Sequence, residues 1–249
     1  MRAMIFAAGP GTRLKPLTDS RPKALVEIGG KSLLERCIRY LKAYGINNIT
    51  INLHHFAGQI REYLRERENF GLQVQLSDES PMLLDTGGGL LKARDYLEGD
   101  EPVLLINVDV LTNLDLDRFL KVHRASGALV SLAARRRDTS RYLLFDQEGQ
   151  LAGWKNVKTG ESRFCRPEAI STAEPLAFSG IHLIRPELFP LITERGRFSI
   201  IELYLRLATT EKICSFPDRD SLWMDLGKYE QLDQAKKLVL QLDQTGFKA

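Results

Sequence analysis

The chain opens with an unbroken apolar run, Ala3-Met4-Ile5-Phe6-Ala7-Ala8, of the length and continuity expected of a strand buried on both faces of a parallel sheet. Residues 24–28 form a short extended piece that ends at the Gly29-Gly30 turn signal. Ser32 followed by Glu35 is a capping box, and Leu33, Leu34, Ile38 and Leu41 then repeat at helical spacing up to Gly45. Residues 49–53 alternate as a strand, 59–67 fit a charged amphipathic helix, and 72–76 alternate again. Strand, helix, strand, helix, strand predicts a sheet built with right-handed crossovers.

Further along, the apolar run 103–110 predicts a central strand, 116–126 a helix and 128–134 a strand. Two apolar stretches, 142–145 and 151–154, flank Asp146-Gln147-Glu148-Gly149-Gln150 as a hairpin. The polar stretch 155–175 carries no assignable element. Residues 177–184 predict a strand interrupted by Gly180, and 186–191, 199–207 and 229–242 predict helices. Leu232, Ala235, Leu238, Val239 and Leu242 line one face of the last, which packs on its own domain or on a second copy of the chain; self-packing is favoured and a homo-oligomer stays open. At 249 residues this is one α/β domain spanning 1–249, large enough to bury a core without staples.

Charge changes this picture little. Lysine and arginine number 35 against 32 aspartate and glutamate, for a net charge of +3, too mild to argue for nucleic acid. The run Arg135-Arg136-Arg137 reads as a solvated strand end rather than a binding patch. Cys37, Cys165 and Cys214 are widely spaced and fit a reducing cytoplasm. No stretch reaches the about 18 consecutive apolar residues of a membrane span, so neither secretion nor a membrane is expected.

The chemistry concentrates at a few places. After the first strand, Ala7-Ala8-Gly9-Pro10-Gly11-Thr12-Arg13 keeps side chains away from the backbone, so N–H groups around Gly9 and Gly11 can approach a phosphate. Arg13 can fork onto two phosphate oxygens and Lys23 adds a point charge. The loop reads as a nucleoside triphosphate cradle, with a plain tight turn as the alternative. It is not a Walker A loop, which needs Gly-Lys-Ser/Thr where this chain has Gly11-Thr12-Arg13, and Leu14 stands where a dinucleotide fingerprint needs glycine. Gly87-Gly88-Gly89 opens a helix and offers bare N–H groups against which a planar base could lie, or is merely a flexible helix entry.

Asp109 ends the central strand, where ligands bind in open α/β sheets, and a metal is the best use for it; helix capping is the alternative, though Asp115 is better placed for that. Asp225, flanked by Trp223, Met224 and Leu226, is costly to leave unpaired unless it caps the last helix. His54 and His55 point to opposite faces of a strand end and cannot easily share a metal. His182 reads as a packing residue.

Taken together, the opening loop with Pro16-Leu17-Thr18 and Pro22-Lys23, the segment Leu84-Asp85-Thr86-Gly87-Gly88-Gly89, Asn107-Val108-Asp109, Phe178-Ser179-Gly180-Ile181 and Trp223-Met224-Asp225-Leu226-Gly227 resemble the sugar-phosphate nucleotidyltransferases, the NDP-sugar pyrophosphorylases. Asp85 replaces the family's usual glutamate, and that segment is most similar to the N-acetylmuramate 1-phosphate uridylyltransferase branch. The resemblance implies a Rossmann-like three-layer α/β/α sandwich with a mixed, mostly parallel central sheet. It also implies a nucleotide-binding part over about 1–115 and a sugar-binding and C-terminal part over about 116–249.

By the same resemblance Asp109 and Asp225 share one Mg²⁺, and Ala8, Gly9, Gly11, Thr12, Arg13, Asp85, Gly88 and Asn107 bind the nucleotide. Lys23, Gly180 and Lys155 face the sugar phosphate, although the family's glu-lys-pro tripeptide is missing and Lys155 and Lys158 are only candidates for its lysine. The implied reaction is uridylyl transfer from a nucleoside triphosphate to a sugar 1-phosphate, with Arg13, Lys23, Asp109 and Asp225 as its catalytic residues. Guanylyl transfer to mannose or heptose phosphate and cytidylyl transfer to a phosphocholine-type acceptor are alternatives. A non-catalytic NDP-sugar-binding subunit is an alternative of another class.

Overall fold

The computed structural model describes residues 1–169 and 171–246. In chain order, β1 (Arg2–Phe6) leads through the glycine loop to a small hairpin, β2 (Glu27–Ile28) and β3 (Lys31–Ser32). Then come α1 (Leu33–Ala43), β4 (Asn48–Leu53), α2 (Ala57–Glu66) and β5 (Gln73–Asp78). The middle of the chain supplies α3 (Asp85–Lys92), α4 (Arg94–Leu97), β6 (Val103–Asn107), β7 (Val110–Thr112), α5 (Leu116–Ser126) and β8 (Val130–Arg135). The remainder forms β9 (Arg141–Phe145), β10 (Leu151–Asn156), β11 (Ser162–Phe164), β12 (Glu174–Ile184), α6 (Ile200–Leu207), β13 (Ile213–Pro217), β14 (Trp223–Asp225) and α7 (Leu232–Thr245).

The central sheet runs β5-β4-β1-β6-β12-β8-β13; β12 is antiparallel to both its neighbours, and the other strands all point the same way. This is the mixed, mainly parallel sheet expected. β9, β10 and β11 extend it as an antiparallel apron from the first residues of β12. The continuous apolar runs of β1 and β6 follow from burial on both faces. Ala3, Ile5, Leu104 and Ile106 meet α1, α2 and α5 on one side, while Met4, Phe6, Val103 and Leu105 meet α3, α4 and α6 on the other. Helices on both faces make three layers.

Ser32 caps α1 as predicted, its hydroxyl accepting from the Glu35 N–H at 3.0 Å, but the Glu35 carboxylate accepts from the Tyr63 hydroxyl and from Arg39 instead of completing the capping box. α7 buries Ala235, Val239 and Leu242 against Leu14, Ile28, Leu33, Leu111 and Met224, so that face is taken up by its own domain. Arg36 holds the helix in place. It donates to the Ile28 carbonyl and pairs with Asp243 at 3.1 Å.

The expected strand over 103–110 is shorter than its apolar run. β6 leaves the sheet after Asn107, the Val108 N–H turns back to the Phe6 carbonyl (3.1 Å), and Val110 starts a separate two-stranded ribbon with β14. Residues 186–191 form a 3-10 turn rather than an α-helix, with Pro190 inside it. The extended piece and turn read at 24–30 supply β2 and the turn of the β2–β3 hairpin, while β13 and β11 had no sequence signal strong enough to assign, being short and, in β13, ending on proline.

Candidate active site

All the chemistry sits at the carboxyl ends of β1, β4 and β6. A cavity of about 350 Å³ opens there, lined among others by Ala8, Gly9, Lys23, Asn52, Asp85, Asn107, Asp109 and Arg197. At its floor the Ala7 and Ala8 N–H groups donate to Asn52 Oδ1 (2.7 and 3.3 Å). Gly11 turns the loop with φ +64°, where a Cβ would come within 3.0 Å of the Lys23 side chain, and its carbonyl accepts from the Thr18 hydroxyl. Thr12 and Arg13 lie on the following 3-10 turn, outside the cavity wall; the Arg13 guanidinium sits 3.5 Å from where a Cβ on Gly227 would be.

Lys23 is ion-paired with Asp109. β14 runs antiparallel to β7, so Asp225 pairs with Val110, and the Leu226 N–H donates to the Asp109 carbonyl at 3.0 Å. Two aspartates far apart in the chain thus become neighbours. Burial, and then the Asp109 charge, push the Asp225 carboxyl above its ordinary range, while Arg137 and Lys23 pull it back. A carboxylate pair that raises its own protonation suits a hard divalent cation whose other ligands are phosphate oxygens. Among the described residues no group of three or more His, Cys, Asp or Glu side chains could hold a metal, so the pair would need the substrate's oxygens to complete the shell.

Leu83, Asp85 and Thr86 line the same cavity as Asp109. Asp85 adopts φ +61°, and its carboxylate accepts from the Thr86 N–H at 2.6 Å. The triglycine behaves differently from expectation. The Gly87 and Gly88 N–H groups are both spent on the Phe198 carbonyl (3.0 and 3.3 Å), and a Cβ on Gly88 would meet the Gly196 carbonyl at 2.3 Å. These glycines let the 196–198 segment cross the start of α3, and Gly88 does not line the cavity.

Two more placements differ. Lys155 sits exposed on β10 between Tyr142 and Ser162, away from the cavity. Arg135 and Arg137 are half-buried rather than solvated: their guanidinium carbons lie 5.5 and 4.5 Å from the Trp223 ring centroid. Arg136 alone is exposed, paired with Glu174 at 2.7 Å. Gly180 has φ +75°, and its missing Cβ lets the backbone come against Asn107 Nδ2, which a side chain would meet at 2.9 Å. His182 is buried and bonded to the Tyr204 hydroxyl (2.8 Å) as a packing residue.

A family model described as nucleotidyl transferase matches residues 2–241. The chain belongs to the nucleotidyl transferase family. It is 33% identical over 234 residues to the N-acetylmuramate alpha-1-phosphate uridylyltransferase of Caulobacter vibrioides, covering 90% of this chain and 91% of that one. It is 29% identical to the mannose-1-phosphate guanyltransferase of Schizosaccharomyces pombe, over 92% of this chain and 61% of that protein. The fold matches the crystal structure of HddC from Yersinia pseudotuberculosis complexed with GMP-PN, with a TM-score of 0.76 at 22% identity, covering 95% of this chain and 98% of that one. This nucleotidyl transferase has, among the described residues, no helix long and apolar enough to cross a membrane.

Sequence reasoning missed four residues of this nucleotidyl transferase. Asn52 was hidden in an alternating strand. Glu79, fully buried, bridges Asn52 Nδ2 (2.7 Å) and the Leu84 N–H (3.0 Å), so it ties the glycine loop to the Asp85 segment. Arg197 lines the cavity and makes no hydrogen bond or ion pair among the described residues. Arg137, two residues past the end of β8, reaches the neighbourhood of Asp225 with its guanidinium over the Trp223 ring. A local cue existed for Glu79 alone, an acidic residue at the end of a strand.

Proposed function

We propose that this nucleotidyl transferase carries a uridylyl group from UTP to a sugar 1-phosphate, with N-acetylmuramate 1-phosphate as acceptor, and releases pyrophosphate in the cytoplasm. The observation that carries the reading is Asp225 lodged beside Asp109 at the rim of a cavity whose other walls are the glycine loop and the Asp85 segment. The choice of uridine leans on the 33% identical relative and on the wording Leu84-Asp85-Thr86-Gly87-Gly88-Gly89.

In this reading residues 1–115 take the nucleotide and 116–249 the acceptor. The backbone of Ala8, Gly9, Gly11 and Thr12, with Arg13, receives the β- and γ-phosphates, and Asp85 and Asn107 fix the nucleoside. Asp109 and Asp225 are the residues that would hold Mg²⁺, which when bound supplies positive charge at the α-phosphate. Lys23 exchanges its carboxylate partner for phosphate oxygen. The acceptor's phosphate oxygen is already ionised, so it attacks the α-phosphorus without a general base; its new P–O bond forms as the bond to the β-phosphate oxygen breaks, and pyrophosphate leaves. Catalysis is then mostly the in-line alignment of two anions and neutralisation of their charge.

Guanylyl transfer to mannose 1-phosphate is the second reading, supported by the Schizosaccharomyces pombe relative. An array of the four nucleoside triphosphates against several sugar 1-phosphates, scored by pyrophosphate release with and without Mg²⁺, tests both. A higher kcat/KM with GTP replaces the first reading by the second. Absence of pyrophosphate in every well removes both.

A further inference from the structure

Buried side-chain polar atoms without a partner are few in folded proteins, and each asks for an explanation. Four occur among the described residues, and two of them, Arg137 Nε and Ser179 Oγ, adjoin Trp223. The Trp223 indole N–H donates to the Ser179 carbonyl at 2.9 Å, and the Arg137 guanidinium lies 4.5 Å above the same ring. One Arg137 Nη donates to the Phe178 carbonyl (3.3 Å), just before the Ser179-Gly180 bend. Burial lowers the pKa of Arg137, and the Asp225 charge opposes that shift, so the cation is desolvated and coupled to the metal pair at once.

Three other cations nearby are committed. Arg135 donates to the Ser221 carbonyl (2.8 Å) and faces Asp218 at 3.7 Å, Arg136 pairs with Glu174, and Lys23 pairs with Asp109. Arg137 keeps an unused Nε–H, held rigidly by a ring on one side and a carbonyl at its far end. A side-on fork of Nε–H and Nη–H is the geometry that takes two oxygens of a phosphate. Neither Arg137 nor Asp225 lines the nucleotide cavity, although Asp109 does, so this fork is not part of the wall around the space for the nucleoside triphosphate.

We propose that Arg137 binds the phosphate of the acceptor sugar 1-phosphate, in place of the acceptor lysine that this chain lacks at Lys155. The proposal rests on the nucleotidyl-transfer reading, and the array described above identifies the acceptor first. With that acceptor, Arg137→Met raises its KM by about 10- to 100-fold, the loss of a charge-assisted pair of hydrogen bonds. The KM for the nucleoside triphosphate stays within about twofold, and Arg137→Lys recovers part of the loss.

A second measurement needs no turnover and no metal. Trp154 and Trp223 are the two tryptophans, so in a Trp154→Phe background inorganic phosphate should change the Trp223 fluorescence, and Arg137→Met should abolish the change. Calorimetric titration of the unsubstituted protein and of Arg137→Met with inorganic phosphate repeats the comparison should the Trp154→Phe background misfold. The proposal is overturned if acceptor KM is unchanged in Arg137→Met. It is equally overturned if the acceptor and nucleotide KM rise together, or if phosphate binds Arg137→Met as well as the parent. An array that finds no acceptor overturns the reading of function instead, and the phosphate titration still decides whether the fork binds phosphate.

Discussion

Glu79 is the residue whose replacement most directly tests how the site is held together. Its carboxylate is fully buried and has no cation on it, only two neutral donors, Asn52 Nδ2 at 2.7 Å and the Leu84 N–H at 3.0 Å. Asn52 cannot rotate to accommodate a change, because its Oδ1 is fixed by the Ala7 N–H at 2.7 Å. In Glu79→Gln one oxygen becomes an NH₂ group that must face one of those donors. A buried donor left without an acceptor costs about 1–3 kcal/mol, offset in part because a charge is no longer buried. A net loss of about 2 kcal/mol is expected. The carboxylate is packed against the α3 backbone at Gly89, where an added Cβ would come within 2.6 Å of Oε1. The same bond carries the phosphate loop and the Asp85 segment, so the nucleotide KM should rise about tenfold, about 1.4 kcal/mol, with the acceptor KM unchanged. Urea unfolding and steady-state kinetics at saturating acceptor read the two effects. Stability and nucleotide KM both equal to the parent would refute the tether.

Asp225→Asn should reduce kcat by about three orders of magnitude through loss of a metal ligand, yet raise the Tm slightly, because it removes a carboxylate that burial and Asp109 both disfavour; a lower Tm would contradict that electrostatic account. Arg197→Ala should raise nucleotide KM several-fold with no change in unfolding free energy, since the side chain is exposed and unpaired, and unchanged kinetics would remove it from the site. Acid should weaken the fold through His182, whose pKa burial lowers from 6.5 to about 3. The unfolded chain binds the proton first, so stability is lost as pH falls from about 6.5 toward 3, at about 1.4 kcal/mol per pH unit. His182→Gln should flatten this slope in urea titrations between pH 7 and 5, and an unchanged slope would assign the acid sensitivity elsewhere.

What could be read from the chain was whatever is carried locally or by wording. The apolar run before Gly9 is continuous because β1 is buried on both faces, and continuity is visible in a sequence. The N-cap at Ser32 is an affair of four residues and formed as written, while the return bond from Glu35 went to Tyr63 and Arg39, which lie beyond those four. Asp225 was singled out by its apolar flanks, a local sign of a carboxylate with a distant partner. Arg137 was misread because three consecutive arginines look like solvated charge, and nothing nearby in the chain shows that Trp223 will lie under two of them. Lys155 was a candidate only by analogy with a tripeptide the chain does not have, and its distance from the cavity lining is set by the pairing of β10 with β9, which no local residue displays. The triglycine was read as bare N–H groups for a planar base or as a flexible helix entry, whereas the Gly87 and Gly88 N–H groups are taken by the Phe198 carbonyl, brought there by the chain far downstream.

The charge arrangement links these observations. Asp109 and Asp225 face each other with Lys23 and Arg137 as their counter-charges, so the four groups are close to neutral without any ligand. A bare divalent ion would find only two carboxylates, one of them already paired with Lys23. In the proposed reaction phosphate would draw Lys23 off Asp109 and add oxygen ligands at the same moment. Metal and nucleotide would then strengthen each other's binding, and by linkage the coupling would be the same in both directions. The carboxyl group of Asp225 is unfavourable in the resting protein for the reason that makes it useful in the loaded one: it holds negative charge next to negative charge until a cation arrives. A site built this way assembles its electrostatics only when both substrates are present, which suits a reaction whose two reactants are anions.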